Sequence, residues 1–245
     1  MQDLINAYRQ ARRRLLLLDY DGTLAAIAPT PEQAAPTPRI LQILTSLTKD
    51  PANTVVAVSG RTRQTMDDWL GATRADLSAE HGLFNKTAGA HWQQTVPVDQ
   101  DWQPPVQELM QAATDQLAGS FVEHKTGSLA WHYRLSRQTA AAPVVRQLHQ
   151  RLTQLAARHQ LTILSGRKVL EARPAGWTKA SAVSHWLTGR PFDFILAAGD
   201  DATDEDTFAA LPKTAWTLKI GSEPSLARQT LPNPAALLAL LDSLI

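Results

Sequence analysis

Apolar and polar positions along this chain follow two different periods. Short apolar runs at 15–18 and 55–58, closed by "DYDG" and "SGR", read as strands covered on both faces. Ile40, Leu41, Leu44 and Leu47 recur at helical spacing, and a second helix is predicted over 63–70. "ADLSAEHG" predicts a third strand and 194–198 a fourth, and "TAWTLKIG" adds a further one before a closing helix at 235–244. Strand, turn and helix in alternation predict an α/β core with a parallel sheet. The proline-rich stretch 29–38 is expected to be an ordered loop, because proline interrupts regular helix.

The middle of the chain has another rhythm. A helix at 106–117 precedes strands at 121–123 and 129–133. A long helix at 143–158, with Val144, Val145, Leu148, Leu152 and Leu155 along one side, precedes a hairpin of 161–164 and 169–172 around Ser165-Gly166. Helix-strand-strand twice over predicts a small α+β domain with an open sheet. It is inserted into the α/β core, at 99–173, between core segments 1–98 and 174–245.

Bulk properties mainly exclude. Lys and Arg number 24 against 23 Asp and Glu, a formal charge of +1, which gives no global reason to expect nucleic acid or a membrane surface as partner. The chain has no cysteine, so disulfides, thiolate chemistry and cysteine zinc sites are excluded. No apolar stretch approaches the roughly twenty residues that span a bilayer. A cytoplasmic monomer acting on a small molecule is the expectation.

Candidate chemistry gathers at the strand ends. Asp19 and Asp21, Ser59-Gly60-Arg61, Glu80-His81-Gly82, and Asp200, Asp201 and Asp204 each follow a predicted strand. Parallel neighbours would bring these ends to one edge, where open α/β sheets bind ligands. The plainer alternative for each is turn or cap chemistry: an Asp-Gly turn at 21–22, and helix capping for part of the acidic run at 204–206. Several carboxylates at one edge repel one another unless a cation is present, and Mg²⁺ with oxygen ligands suits a site completed by phosphate. A calcium loop of EF-hand type does not fit, since Ala202 and Glu205 occupy positions that need a ligand and a glycine. His81, His124 and His132 lack metal-ligand spacing and read as packed or surface residues.

Asp19-Tyr20-Asp21-Gly22-Thr23, the Ser59 strand end, Lys179 in "RPAGWTKAS" and Gly199-Asp200-Asp201 resemble, in order, the motifs of haloacid dehalogenase-type phosphohydrolases. The resemblance implies that Asp19 is the nucleophile and Asp21 the acid and base. It also implies that Asp19, Asp21 and Asp200 hold Mg²⁺, and that Tyr20, Ser59, Gly60 and Lys179 hold phosphate. Asp204, and Asp201 if it takes part, would orient ligands from behind. "AEHGL", "FVEHKTGSLAWHYR", "VLEARPAGWTKA" and "GDDATDEDTF" are further similar to trehalose-6-phosphate phosphatases over nearly the whole chain. That likeness implies a cap of the family's C2B type, with Arg61, Glu123, Lys125 and Glu171 reading the sugar; an exposed cross-strand ion pair is the plainer account of the last three. Thr178 and Ala180 depart from the family's usual residues around the motif lysine.

Other readings are another sugar or sugar-acid phosphate as substrate, or a non-catalytic sensor, for which an acid at Asp21 has no use. A serine acyl-enzyme reading matches SxxK at 46–49 and KTG at 125–127 but lacks the intervening SxN.

Overall fold

Leu15, Leu16, Leu17 and Leu18 are all buried, because their strand lies mid-sheet with a parallel partner on each side. The computed structural model describes residues 1–189 and 191–245. It comprises two compact units, 1–95 with 178–245, and 96–177.

The first unit begins with α1 (Gln2–Gln10), β1 (Arg14–Asp19), α2 (Pro38–Leu47) and β2 (Asn53–Val58). It continues with α3 (Arg63–Leu70), β3 (Asp76–Ala79), β4 (Phe84–Lys86) and β5 (Gln93–Gln94). The second unit holds α4 (Gln103–Gln116), β6 (Phe121–His124), β7 (Leu129–His132), α5 (Gln138–His159), β8 (Leu161–Gly166) and β9 (Val169–Pro174). The chain then returns to the first unit with α6 (Lys179–Leu187), β10 (Phe194–Gly199) and α7 (Ala202–Ala210). It ends with β11 (Trp216–Ile220), β12 (Gln229–Leu231) and α8 (Pro234–Asp242).

The first unit's sheet runs β12-β11-β10-β1-β2-β3-β4-β5. It is parallel from β12 to β3, with β4 and β5 added antiparallel. Leu15, Leu17, Val56, Val58, Ile195 and Ala197 share one core with Val183 and Trp186 of α6 and Phe208 of α7. Leu16 and Leu18 alternate to the opposite face, which is why a continuous apolar run rather than an alternating one marks the strand. The register decides the function: Leu18 pairs with Ala198, and Asp19 with Val58. The carboxyl ends of β10, β1, β2 and β3 are therefore neighbours.

The second unit is an antiparallel sheet, β6-β7-β9-β8, with Leu129, Trp131, Leu170 and Ala172 in a core shared with α4 and α5. On the alternate positions, Glu123 pairs with Ala130 and Ala130 with Glu171, so both carboxylates lie on the other face.

Three local expectations need correction. The β8–β9 turn lies at Arg167-Lys168, not Ser165-Gly166; both of the latter stay in the ladder, and Lys168 takes the left-handed φ of 69° that closes the turn. Helix α5 starts at Gln138, upstream of Pro143, so the proline lies inside it; packing of its apolar face into the second unit's core outweighs the backbone bond lost there. The 29–38 loop contains one short helical turn, Pro31–Ala34.

Candidate active site

Asp19 ends β1 and is 5% exposed. Its Oδ1 accepts a hydrogen bond of 2.6 Å from Lys179 Nζ, while its Oδ2 is buried with no partner among the described residues. Lys179 is the first residue of α6, where the helix dipole does not favour a cation. Two carboxylates compensate: its Nζ also donates to Asp204 Oδ1 at 2.8 Å. Asp204 Oδ2 in turn accepts from the backbone N–H groups of Asp200 and Asp201, at 3.0 and 3.1 Å. Asp201 caps α7, its Oδ1 accepting from Thr203 and Asp204 N–H, and thus completes a capping box. Of the two readings left open for the acidic run, capping accounts for Asp201. Asp204 serves both as capping-box partner and as a hold on Lys179.

Two glycines make this approach possible. Gly22 has φ of 84°, and a Cβ there would lie 2.2 Å from Asp200 Oδ2. A Cβ on Gly199 would lie 2.1 Å from Asp204 Cγ. Neither distance is tolerable, so Asp-Gly at 21–22 is more than a turn: it clears the space that Asp200 occupies.

The electrostatics are those of a site short of positive charge. Burial pushes the Asp19 carboxyl well above the ordinary range, and the neighbouring Asp204 adds to the rise against the pull of Lys179. Burial likewise lifts Asp204 to about 7. Burial disfavours the Lys179 ammonium, but Asp19, Asp201 and Asp204 outweigh it and its pKa rises. Asp19, Asp200 and Asp204 each offer a carboxylate oxygen within 4.8 Å of the others. This all-oxygen donor set, buried with Lys179 as the nearby cation, fits a hard divalent cation. Asp204 lies within this cluster, but both its oxygens are engaged, Oδ1 by Lys179 and Oδ2 by the Asp200 and Asp201 N–H groups.

Asp21 and Arg61, expected in separate roles, are paired. Arg61 Nε donates to Asp21 Oδ2 at 2.8 Å and Nη2 to Oδ1 at 2.7 Å. Ser59 is buried at the end of β2, and its Oγ accepts from the Arg61 N–H at 3.1 Å. Gly60 faces the His81 ring, whose Nε2 would lie 2.6 Å from a Cβ there. His81 sits in a left-handed run, Glu80, His81 and Gly82 with φ of 48°, 56° and 92°. Tyr20 is fully buried, its phenol donating to the Ala34 carbonyl at 2.7 Å, and burial raises its pKa. Its side chain therefore points away from any phosphate held by its N–H. The Trp69 ring under Arg61 carried no sequence signal, since one tryptophan on an amphipathic helix reads as packing.

In the second unit, Lys125 Nζ lies 3.5 Å from Glu171 Oε1, which also accepts from Ser128 Oγ at 2.6 Å. Glu123 is held instead by His132 Nε2 at 2.8 Å. Burial works against the Glu123 anion, but the His132 bond and the Lys125 charge prevail and its pKa is lowered.

A sheet parallel from β12 to β3, with acidic residues at the carboxyl ends of its central strands, marks the fold. The fold is that of the haloacid dehalogenase-like hydrolases; one such protein from Bacteroides thetaiotaomicron superposes with a TM-score of 0.66 at 13% identity, over 95% of this chain and all of that one. The chain belongs to the trehalose-phosphatase family, whose model matches residues 17–233. The C-terminal domain of C. albicans trehalose-6-phosphate phosphatase superposes with a TM-score of 0.93 at 29% identity, covering 99% of this chain and 96% of that one. A bifunctional trehalose-6-phosphate synthase/phosphatase from Thermoproteus tenax is 41% identical over 97% of this chain and 32% of its own length. The trehalose-phosphatase of Saccharomyces cerevisiae is 35% identical over 88% of this chain and 27% of its own. The chain thus spans about a third of the length of the curated relatives it matches. No helix among the described residues is long and apolar enough to cross a membrane.

Proposed function

We propose that this chain is a Mg²⁺-dependent phosphatase that hydrolyses trehalose 6-phosphate to trehalose and phosphate. One observation carries the chemistry: the buried Asp19, pinned through Oδ1 by Lys179, has Oδ2 left over. A carboxylate needs no prior deprotonation to be a nucleophile, and one held at a single oxygen presents the other in a fixed direction.

Asp19 Oδ2 attacks phosphorus and the bond from phosphorus to the sugar oxygen breaks, leaving an aspartyl-phosphate. Asp21 gives its proton to the departing oxygen, then takes one from the water whose oxygen attacks the intermediate; Asp19 and orthophosphate are released. Lys179, the Ser59 hydroxyl and the N–H groups of Tyr20 and Gly60 hold phosphate oxygens as charge spreads over them. Asp19, Asp200 and the main-chain carbonyl of Asp21 would hold Mg²⁺, with Asp204 behind them. Held there, such an ion would supply positive charge to offset that on the nucleophile and on the phosphoryl group. The second unit's Glu123, Lys125 and Glu171 read the sugar. Charged groups placed for hydroxyls discriminate strongly, because the wrong sugar leaves them unpaired. This second unit is, in our reading, the cap.

The test is phosphate release from a panel of sugar phosphates with Mg²⁺ and with chelator. Trehalose 6-phosphate is expected to be turned over at least tenfold better than glucose 6-phosphate, and chelator to abolish release. Equal turnover of the two sugars removes the substrate assignment and leaves the reaction class standing.

A further inference from the structure

The Asp21–Arg61 pair is built more firmly than an exposed ion pair needs to be. Both Asp21 oxygens accept from one guanidinium in a parallel fork, at 2.8 and 2.7 Å, and these are the hydrogen bonds found for this carboxylate among the described residues. The Arg61 side chain is 13% exposed, against 37% for Asp21. Its guanidinium carbon lies 4.3 Å over the Trp69 ring and 5.8 Å from the Tyr20 ring. Those two rings touch, with centroids 5.5 Å apart. Tyr20 is in turn fixed by complete burial and by its bond to the Ala34 carbonyl. The Arg61 backbone is tied on both sides: its N–H donates to Ser59 Oγ, and its carbonyl accepts from the Glu80 N–H at 3.0 Å.

Ordinary surface pairs contribute little because two long flexible side chains must be held in one geometry. Here one partner is already held. The guanidinium lies flat on an aromatic face, and its fork matches a carboxylate in only one orientation. We infer that Arg61 is a positioning residue that fixes the Asp21 carboxylate for proton transfer, with Trp69 and Tyr20 as its platform. This rests on the acid and base role proposed above for Asp21. Arg61 then acts on the reaction through Asp21.

A double-mutant cycle on trehalose 6-phosphate in Mg²⁺ tests this, using Asp21→Asn, Arg61→Met and both together. Misplacing a reacting group by about an ångström costs on the order of 10²-fold. Arg61→Met is therefore expected to lower kcat about 30- to 100-fold, with KM within about threefold of wild type. In the Asp21→Asn background the same change should cost no more than about threefold, since the group it positions is gone. Losses that multiply in the double variant, or a raised KM with unchanged kcat, overturn the inference and place Arg61 on the substrate itself. If Arg61→Met does not fold, Arg61→Lys carries the same test: it keeps the charge and the stem over Trp69 but lacks the fork. Its kcat should fall about tenfold at unchanged KM, and a wild-type kcat overturns the inference. Asp21→Asn with wild-type turnover overturns the proposed mechanism and this inference together. If the panel favours another ester, the cycle is run on that ester, so the sugar assignment can fail alone.

Discussion

Lys179 holds the charge balance of the site. It is 3% exposed and bonded to two carboxylates that burial already makes costly. Replacing it by methionine leaves Asp19 and Asp204 buried without their cation, and breaking a buried pair costs about 3–5 kcal/mol. Urea unfolding of Lys179→Met in chelator should show that loss, and an unchanged midpoint removes the ammonium from this account. Asp19→Asn, nearly the same shape, should retain stability and lose turnover; wild-type phosphate release by that variant overturns the mechanism. At this scale the sequence exposes residue types and order. It does not show that Arg61 turns to Asp21, because the two are forty positions apart in the chain and meet only through pairing of β1 with β2.

At the scale of elements, site geometry is set by where strands stop. β1 and β10 end side by side, so Asp19 and Asp200 converge without any long loop. Gly22 is the price of that closeness. Gly22→Ala puts a methyl against Asp200 in a backbone region that L residues avoid, so metal affinity and activity should both fall sharply. Wild-type Mg²⁺ dependence in that variant counts against the Asp200 placement. Asp201→Ala removes a helix cap and should cost about 1 kcal/mol in thermal or urea unfolding while leaving the metal requirement intact. The long periodic segments, such as α5, and the apolar strands, such as β1, were legible from pattern. The two- and three-residue strands β5, β4 and β12 were not, because so few positions contain no period; tertiary pairing alone makes them strands.

For the molecule as a whole, the second unit has its own core, built around Trp102, Trp131 and Leu152 between its helices and its sheet. Residues 96–177 expressed alone should therefore unfold cooperatively, followed by the fluorescence of Trp102, Trp131 and Trp177; a featureless, non-cooperative curve counts against an independent core. The same fragment tests an electrostatic point. Glu123 is held below its ordinary value of 4.5 by His132 and Lys125 in spite of burial. A depressed carboxylate adds stability that is present above the unfolded value and lost as pH falls through the folded one. The stability difference between the fragment and its Glu123→Gln variant should thus be constant near neutrality and vanish in acid. A difference that grows on acidification reverses the assignment.

Taken alone, the sequence determined the α/β core, the inserted α+β segment, and the order of acidic, hydroxyl and basic residues along the chain. Each of these is written in local pattern: period, turn residue and motif. Only the tertiary structure decided which of those residues face one another. It placed Asp204 on Lys179, gave Asp201 to a helix cap, and turned Arg61 onto Asp21 over Trp69. Such pairings depend on strand register and on the space that Gly22 and Gly199 leave open, and neither is encoded within any short stretch of the chain.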